Sequence, residues 1–278
     1  MADGVKVFYR EAGDPRKPAV LLLHGFPASS HQYRNLIPIL AQTHYVLAPD
    51  FPGYGFTQVP DDRSYNYTYE NLATTTLSWL EVLEIKSFVM YIMDIGAPVG
   101  LRIALRRPNS VSGIITQNGN AYTDGFGDGF MPVLDFSRNP NPNRTQAAEE
   151  FLTFSAIKSQ YTTGVKDPSV IQPEAYYLDF ALLSRPGNDH NQLDLLHTYQ
   201  SNVDLYPAFH KYFRDSQPPL LAIWGKNDVA FVPTGAEAFK KDLPNAQIHF
   251  VDSGHFALES ELEKIAERIT LFLAENNL

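Results

Sequence analysis

Short unbroken runs of apolar residues recur along the chain, at Ala19–Leu23, Tyr45–Ala48, Phe88–Met93, Gly113–Thr116, Leu220–Trp224 and Ile248–Val251, while Val5–Arg10 alternates. Runs of this length bounded by turn residues fit strands buried on both faces, as in a parallel sheet. Between them the apolar residues fall at helical spacing over Tyr33–Ala41, Tyr69–Leu83, Ala97–Arg107, Gly235–Lys241 and Glu261–Leu273. Strand and helix in alternation predict a doubly wound α/β fold.

The rhythm breaks between Ala121 and Arg214. This stretch is rich in aromatics, Pro, Asn and Asp, and its patterned segments, Thr145–Gln160 and Asn191–Tyr199, are helical. It holds no strong buried-strand run, and the strand pattern resumes only at Pro219. The expectation is a helical cap at residues 121–213, inserted into a core formed by residues 1–120 and 214–278.

Composition narrows the function. At 278 residues the chain can bury roughly 75% of its unfolded surface. Apolar content of 44% and charged content of 19% are those of an ordinary soluble enzyme. The formal charge of -9 is spread along the chain without a basic stripe, which argues against nucleic acid as a partner. The same charge disfavours anionic membranes. There is no cysteine, so disulfides, thiolate metal sites and a cysteine nucleophile are excluded. Met1–Lys6 has no basic stretch followed by an apolar one, and no apolar run approaches the roughly 20 residues of a membrane span. A cytoplasmic protein, monomer or homodimer, is expected.

Five short motifs carry the candidate chemistry. His24-Gly25-Phe26-Pro27 follows the Ala19–Leu23 run, and a Gly after a strand lets the backbone turn sharply and aim the Phe26 N–H into a cavity, as half of an oxyanion hole. On its own an ordinary strand-to-loop turn explains it equally well. Asp50-Phe51-Pro52-Gly53-Tyr54-Gly55 is a stiff loop, best read as a structural turn and a spacing marker. In Tyr91-Ile92-Met93-Asp94-Ile95-Gly96-Ala97 a strand runs into Asp94 and a helix leaves after it, the arrangement written G-x-S-x-G with Asp in the Ser position. Ile92 stands where that pattern has its first Gly, which predicts a crowded turn unless the facing helix is set back. An Asp at a helix start also caps N–H groups without doing chemistry. Asp228 closes Trp224-Gly225-Lys226-Asn227-Asp228, and His255 lies in Asp252-Ser253-Gly254-His255, each just beyond a strand. Nucleophile, acid and His thus occur in the order Asp94, Asp228, His255, at strand ends where open α/β sheets bind ligands.

With these markers in order, the chain resembles the α/β-hydrolase superfamily, specifically its epoxide hydrolase and dehalogenase branch. LLLHGFPASSHQYR, APDFPGYGFT, MDIGAPVGLRIALRRP, AIWGKND and DSGHFALE carry the resemblance, which spans nearly the whole chain and is weakest in the cap. It implies an α/β-hydrolase fold, a mostly parallel eight-stranded sheet flanked by helices under a helical lid, with no metal and no cofactor. A carboxylate displaces leaving groups from saturated carbon and becomes an alkyl ester, which water activated by His255 then opens, with Asp228 orienting the imidazole. The N–H groups of Phe26 and Ile95 would receive the oxyanion on Asp94.

In epoxide hydrolases a pair of lid tyrosines protonates the leaving oxygen. His197-Thr198-Tyr199-Gln200-Ser201-Asn202 resembles the lid segment that bears one of them, making Tyr199 the first candidate. Tyr161, Tyr122 and Tyr176 compete for the second place, and Phe256, beside His255, joins them as a candidate substrate contact. Haloalkane dehalogenases usually have Trp after the nucleophile and often Asn before the Pro, where this chain has Ile95 and Phe26. Fluoroacetate dehalogenases place arginines after the nucleophile, where this chain has Gly96-Ala97-Pro98 and its first arginine at Arg102. The expected function is therefore epoxide opening to a diol on a small apolar or aromatic electrophile, with water. A haloacid or haloalkane dehalogenase is the alternative, and a noncatalytic ligand-binding protein of this fold a further one.

Overall fold

The structure, a computed structural model, describes residues 1–61 and 63–278. Seven strands form one sheet: β1 (Tyr9–Ala12), β2 (Ala19–Leu23), β3 (Tyr45–Pro49), β4 (Phe88–Met93), β5 (Val111–Gln117), β6 (Leu220–Gly225) and β7 (Gln247–Val251). Their order is β1-β3-β2-β4-β5-β6-β7, with β1 antiparallel to β3 and every other pair parallel. The chain belongs to the expected α/β class, but among the described residues the sheet has seven strands and not eight. Val5–Phe8, four of the six residues of the alternating run, adds no ladder because its backbone is committed elsewhere. Lys6 pairs with Gln58 in an isolated bridge, and the Phe8 N–H donates to Thr57 Oγ1.

The five inner strands β2 to β6 are buried along their whole length, apart from one half-buried residue in β5, as continuous apolar runs require. Around the sheet lie α1 (Ile37–Leu40), α2 (Tyr69–Val82) and α3 (Gly96–Arg106). Between β5 and β6 come α4 (Met131–Arg138), α5 (Pro142–Glu150), α6 (Phe154–Thr162), α7 (Pro173–Leu183), α8 (Asn188–His197), α9 (Gln200–Asp204) and α10 (Tyr206–Ser216). The chain closes with α11 (Pro233–Ala238), α12 (Ala257–Ser260) and α13 (Leu262–Glu275).

Helix ends depart from the pattern where local chemistry intervenes. The Tyr33–Ala41 segment divides into a 3-10 turn at Ser30–Tyr33 and the short α1, which carries Pro38 in its first turn. The Thr145–Gln160 segment breaks because the Thr153 hydroxyl accepts the Ala156 N–H and starts α6 afresh. Residue 213, the expected cap boundary, falls inside α10, which packs on α3 and ends at Gln217 (φ 42°) before Pro218.

The sheet order fixes where a site can form. From β2 the chain crosses outward to β3, then returns past β2 to β4, so the loops leaving β2 and β4 diverge at their carboxyl ends. Ligands bind at such a reversal in open α/β sheets. Here it brings the Phe26 loop against Asp94, with Leu23 paired to Ile92 in the last rung.

Candidate active site

Asp94 follows β4 in a left-handed backbone conformation (φ 48°), which an L-residue with a side chain adopts rarely and only under surrounding constraint. Two glycines make the turn possible. A Cβ at Gly96 would stand 2.3 Å from the Leu23 carbonyl oxygen, and one at Gly25 would stand 2.6 Å from Asp94 Cβ. The crowding expected from Ile92 is relieved one helical turn away. A Cβ at Gly100 would lie 2.6 Å from Ile92 Cγ2, so the space that a Gly at 92 would leave comes from Gly100 on α3 instead.

The two carboxylate oxygens of Asp94 have different partners. Oδ1 accepts the Phe26 N–H at 2.6 Å. Oδ2 lies 3.7 Å from His255 Nε2, beyond a direct hydrogen bond. Burial raises the affinity of Asp94 for its proton; the His255 imidazole and the N–H groups of Phe26 and Ile95 act in the opposite sense without cancelling it.

His255 sits beyond β7, its Nδ1 2.7 Å from Asp228 Oδ2. Burial works against its charged form, but the Asp228 and Asp94 carboxylates outweigh that and hold its pKa above the ordinary value. Asp228 is itself fixed: Oδ2 accepts from Asn118 Nδ2 at 2.7 Å, and Oδ1 from the Ala230 N–H at 2.8 Å. Asn118 follows β5, and its Oδ1 accepts the Gly225 N–H at 2.9 Å. Gln117 beside it donates to the His255 carbonyl at 2.8 Å. One amide thus ties the ends of β5 and β6 to the acid. Asn118 was not legible in the sequence, where an Asn after a strand reads as a turn.

His24 is a strut. Its Nε2 accepts the Phe51 N–H at 3.0 Å while Nδ1 lies 3.0 Å from the Gly25 carbonyl, and burial holds the ring neutral. The Asp50–Gly55 loop is structural, as expected, and it also anchors α8: the Gly53 carbonyl accepts from Asn188 Nδ2 at 2.9 Å and Gln192 Nε2 at 3.0 Å.

A cavity of about 290 Å³ opens over Asp94, bounded by Phe26, Ile95, Asp228 and His255 below and by Phe130, Val133 and Leu196 on the far side. Tyr199 lines it. The other expected cap contacts do not. The Tyr122 hydroxyl donates to Asp242 Oδ2 at 2.8 Å, with its ring stacked on His210 at 4.1 Å. Tyr161 donates to Asp179 and stacks at 4.0 Å on Phe256, so these two rings spend their faces on each other. Tyr176 packs among Phe154, Tyr161 and Tyr177. In their stead Tyr69, from the first turn of α2, lines the cavity. Sequence reasoning missed it because it looked for phenols only in the inserted helices.

Residues 18–262 match the family described as alpha/beta hydrolase fold. The chain belongs to that family. It is an enzyme fold of hydrolases, and relatives of this chain include dehalogenases. It is 46% identical to an uncharacterized hydrolase of Saccharomyces cerevisiae, over 99% of this chain and 95% of that protein. It is 34% identical to a haloalkane dehalogenase of Mycobacterium marinum, over 95% of this chain and 88% of the dehalogenase. The fold superposes on an epoxide hydrolase with a TM-score of 0.79 at 22% identity, covering 99% of this chain and 97% of that one.

Proposed function

We propose that this α/β-hydrolase attacks a saturated electrophilic carbon with Asp94 Oδ2, and that the substrate is an epoxide opened to a diol. The observation that carries the reading is the asymmetry of Asp94. Oδ1 already accepts the Phe26 N–H at 2.6 Å, whereas Oδ2 lies 3.7 Å from His255 Nε2, and both residues line the cavity. In the first step Oδ2 bonds to carbon, and the ring C–O bond breaks toward oxygen, which takes a proton from a phenol of the cavity wall, Tyr199 among them.

Water then adds to Asp94 Cγ while His255 Nε2 takes one of its protons, the oxyanion forms on Oδ1 against the Phe26 and Ile95 N–H groups, and its collapse breaks the Cγ–Oδ2 bond as His255 passes the proton to the departing diol oxygen. Esterification helps this step. It removes the Asp94 charge that supports the imidazolium in the free enzyme, so the His255 pKa falls and more of it is neutral when a base is needed. Asp228 and Asn118 keep the imidazole oriented.

An oxygen leaving group is favoured over a halide by the donors present. Ile95 and Phe26 offer no side-chain N–H to cradle a halide beside the nucleophile; among the described residues the cavity wall holds one free amide donor, Gln160 Nε2, but two phenolic O–H groups, Tyr199 and Tyr69, able to give up a proton to an oxygen. The cavity volume suits a small, largely apolar molecule, and the helices from α4 to α9 serve as its cap. No metal or cofactor enters this scheme, nor does a nucleic acid partner. Hydrolysis of a panel of aryl and alkyl epoxides, with fluoroacetate and a chloroalkane alongside, tests it against Asp94→Asn. Diol formation that vanishes in Asp94→Asn is expected; halide release would move the substrate to the dehalogenases, and turnover that survives Asp94→Asn would remove the carboxylate mechanism.

A further inference from the structure

The Tyr69 hydroxyl is an oddity that the scheme above does not use fully. The residue is 1% exposed, its hydroxyl has no hydrogen-bond partner among the described residues, and its ring meets Tyr199 edge-on at 5.7 Å. A buried hydroxyl without a partner costs about 1–3 kcal/mol, so a phenol placed on a cavity wall in this state points to a ligand that satisfies it.

The residues behind Tyr69 decide which way its proton faces. Arg102 on α3 is 3% exposed and donates through Nη1 to Asn202 Oδ1 at 2.6 Å, and through Nη2 to Ser201 Oγ at 3.1 Å; Glu70 lies 3.3 Å from its Nε. A guanidinium only donates, so it fixes the Asn202 carbonyl oxygen on its own side and turns the amide Nδ2 away. That Nδ2 has no acceptor, and Asn202 stands near enough to Tyr69 to favour its ionised form, although the two atoms do not complete a hydrogen bond in this conformation. When Nδ2–H engages the phenol oxygen it occupies a lone pair, and the phenol proton has only the cavity to go to. The Arg102 guanidinium also lies 5.8 Å from the Tyr69 ring centroid, so positive charge stands beside the place where a phenolate forms. Burial raises the pKa of both phenols and Asp94 adds to it at both; at Tyr69 the Arg102 guanidinium and the Asn202 amide oppose the rise, whereas at Tyr199 Tyr206 and Tyr69 add to it.

We propose that Tyr69 is the principal proton donor to the leaving oxygen, with Asn202 and Arg102 as its positioning residues and Tyr199 as the second phenol. The assignment rests on the epoxide reading. As Asp94 Oδ2 bonds to carbon, the ring C–O electron pair goes to oxygen and the Tyr69 proton follows it. The phenolate is held by Asn202 Nδ2–H and the Arg102 charge until a proton of the hydrolytic water returns to it, the other leaving on the diol.

The test is the rate of ester formation on Asp94, by rapid quench and mass spectrometry with styrene oxide and alkyl epoxides, over a range of pH. Tyr69→Phe slows ester formation on the order of 100-fold, with ester hydrolysis unchanged. Asn202→Asp keeps an oxygen for Arg102 but removes the Nδ2–H and sets a carboxylate beside the phenolate, so ester formation slows while ester hydrolysis keeps its wild-type rate. Ester formation at the wild-type rate in Tyr69→Phe, with the loss falling on Tyr199→Phe, overturns this assignment and leaves the epoxide reading standing. A wild-type enzyme that forms no ester from any epoxide overturns both. If Tyr69→Phe fails to fold, ester formation at the wild-type rate in Asn202→Asp overturns the assignment alone.

Discussion

Replacing His255 with Gln separates the two chemical steps. The imidazole Nε2 is 3.7 Å from Asp94 Oδ2, a gap suited to activating a water that then adds to Cγ, and with the imidazole gone the other carboxylate of the cavity floor, Asp228, is still engaged by Asn118 Nδ2 and the Ala230 N–H. Loss of a general base costs about 10³-fold, or about 4 kcal/mol of barrier. If ester hydrolysis in the wild type runs at about 10 s⁻¹, the variant falls to about 0.01 s⁻¹ and the ester lives for about a minute. Ester formation needs Asp94 ionised but needs no base. It does lose the support that the imidazolium gives to the Asp94 carboxylate, whose proton affinity is already raised by burial. The Asp94 pKa therefore rises further in His255→Gln, and the burst is best followed at mildly alkaline pH, where the carboxylate is ionised. Intact-mass and peptide measurements after quenching should show stoichiometric alkylation of Asp94. Turnover that falls as expected with no adduct accumulating would show that His255 acts before or during the attack, and the two-step scheme would be wrong.

Two further perturbations address the scaffold. Gly100→Ala places a methyl 2.6 Å from Ile92 Cγ2 and 3.2 Å from both Leu23 Cδ1 and Met90 Sδ; overpacking of about 1–3 kcal/mol exceeds the helix-propensity gain of up to about 1 kcal/mol, so the urea midpoint falls. Adding Ile92→Ala removes Cγ2 and should recover part of the loss, whereas strictly additive effects would contradict the steric account. Asp179 offers a pH test: burial pushes its carboxyl up to about 8, with the Tyr161 hydroxyl opposing, Glu259 adding and Arg34 opposing. Below about pH 4 the folded and unfolded states both keep that proton; between about 4 and 8 the unfolded state has lost it while the folded state retains it, so stability is lost as pH rises through that window. In Asp179→Asn the loss is absent, and the stability difference between variant and wild type should grow up to about pH 8 and then level off. A difference independent of pH would mean that the carboxyl titrates alike in both states.

Much of this protein is determined by its sequence. Continuous apolar runs such as Phe88–Met93, strand-sized and bounded by turn residues, read as doubly buried strands, and a strand that ends in Asp94-Ile95-Gly96 marks an abrupt turn into a helix, because glycine lets the backbone turn sharply. Chain order likewise supplied Asp228 and His255, since each stands directly beyond a strand whose carboxyl end lies at one edge of the sheet. Periodicity and local spacing carry such information because they concern residues close together in sequence.

Tertiary structure decided what depends on contacts between distant residues. The relief for Ile92 lies at Gly100 and the brace for Asp228 at Asn118, a separation of 110 residues. Tyr161 and Phe256 looked like cavity residues by their neighbours, yet they consume each other's faces in a stack that no local pattern announces. Tyr69 is the opposite case. On a helical pattern it is one more apolar position of α2, and only the packing of that helix places on the cavity wall a buried phenol whose hydroxyl has no partner among the described residues, beside Arg102. Hydrophobic pattern records which side of an element is buried; what stands opposite is set by the packing of the whole chain.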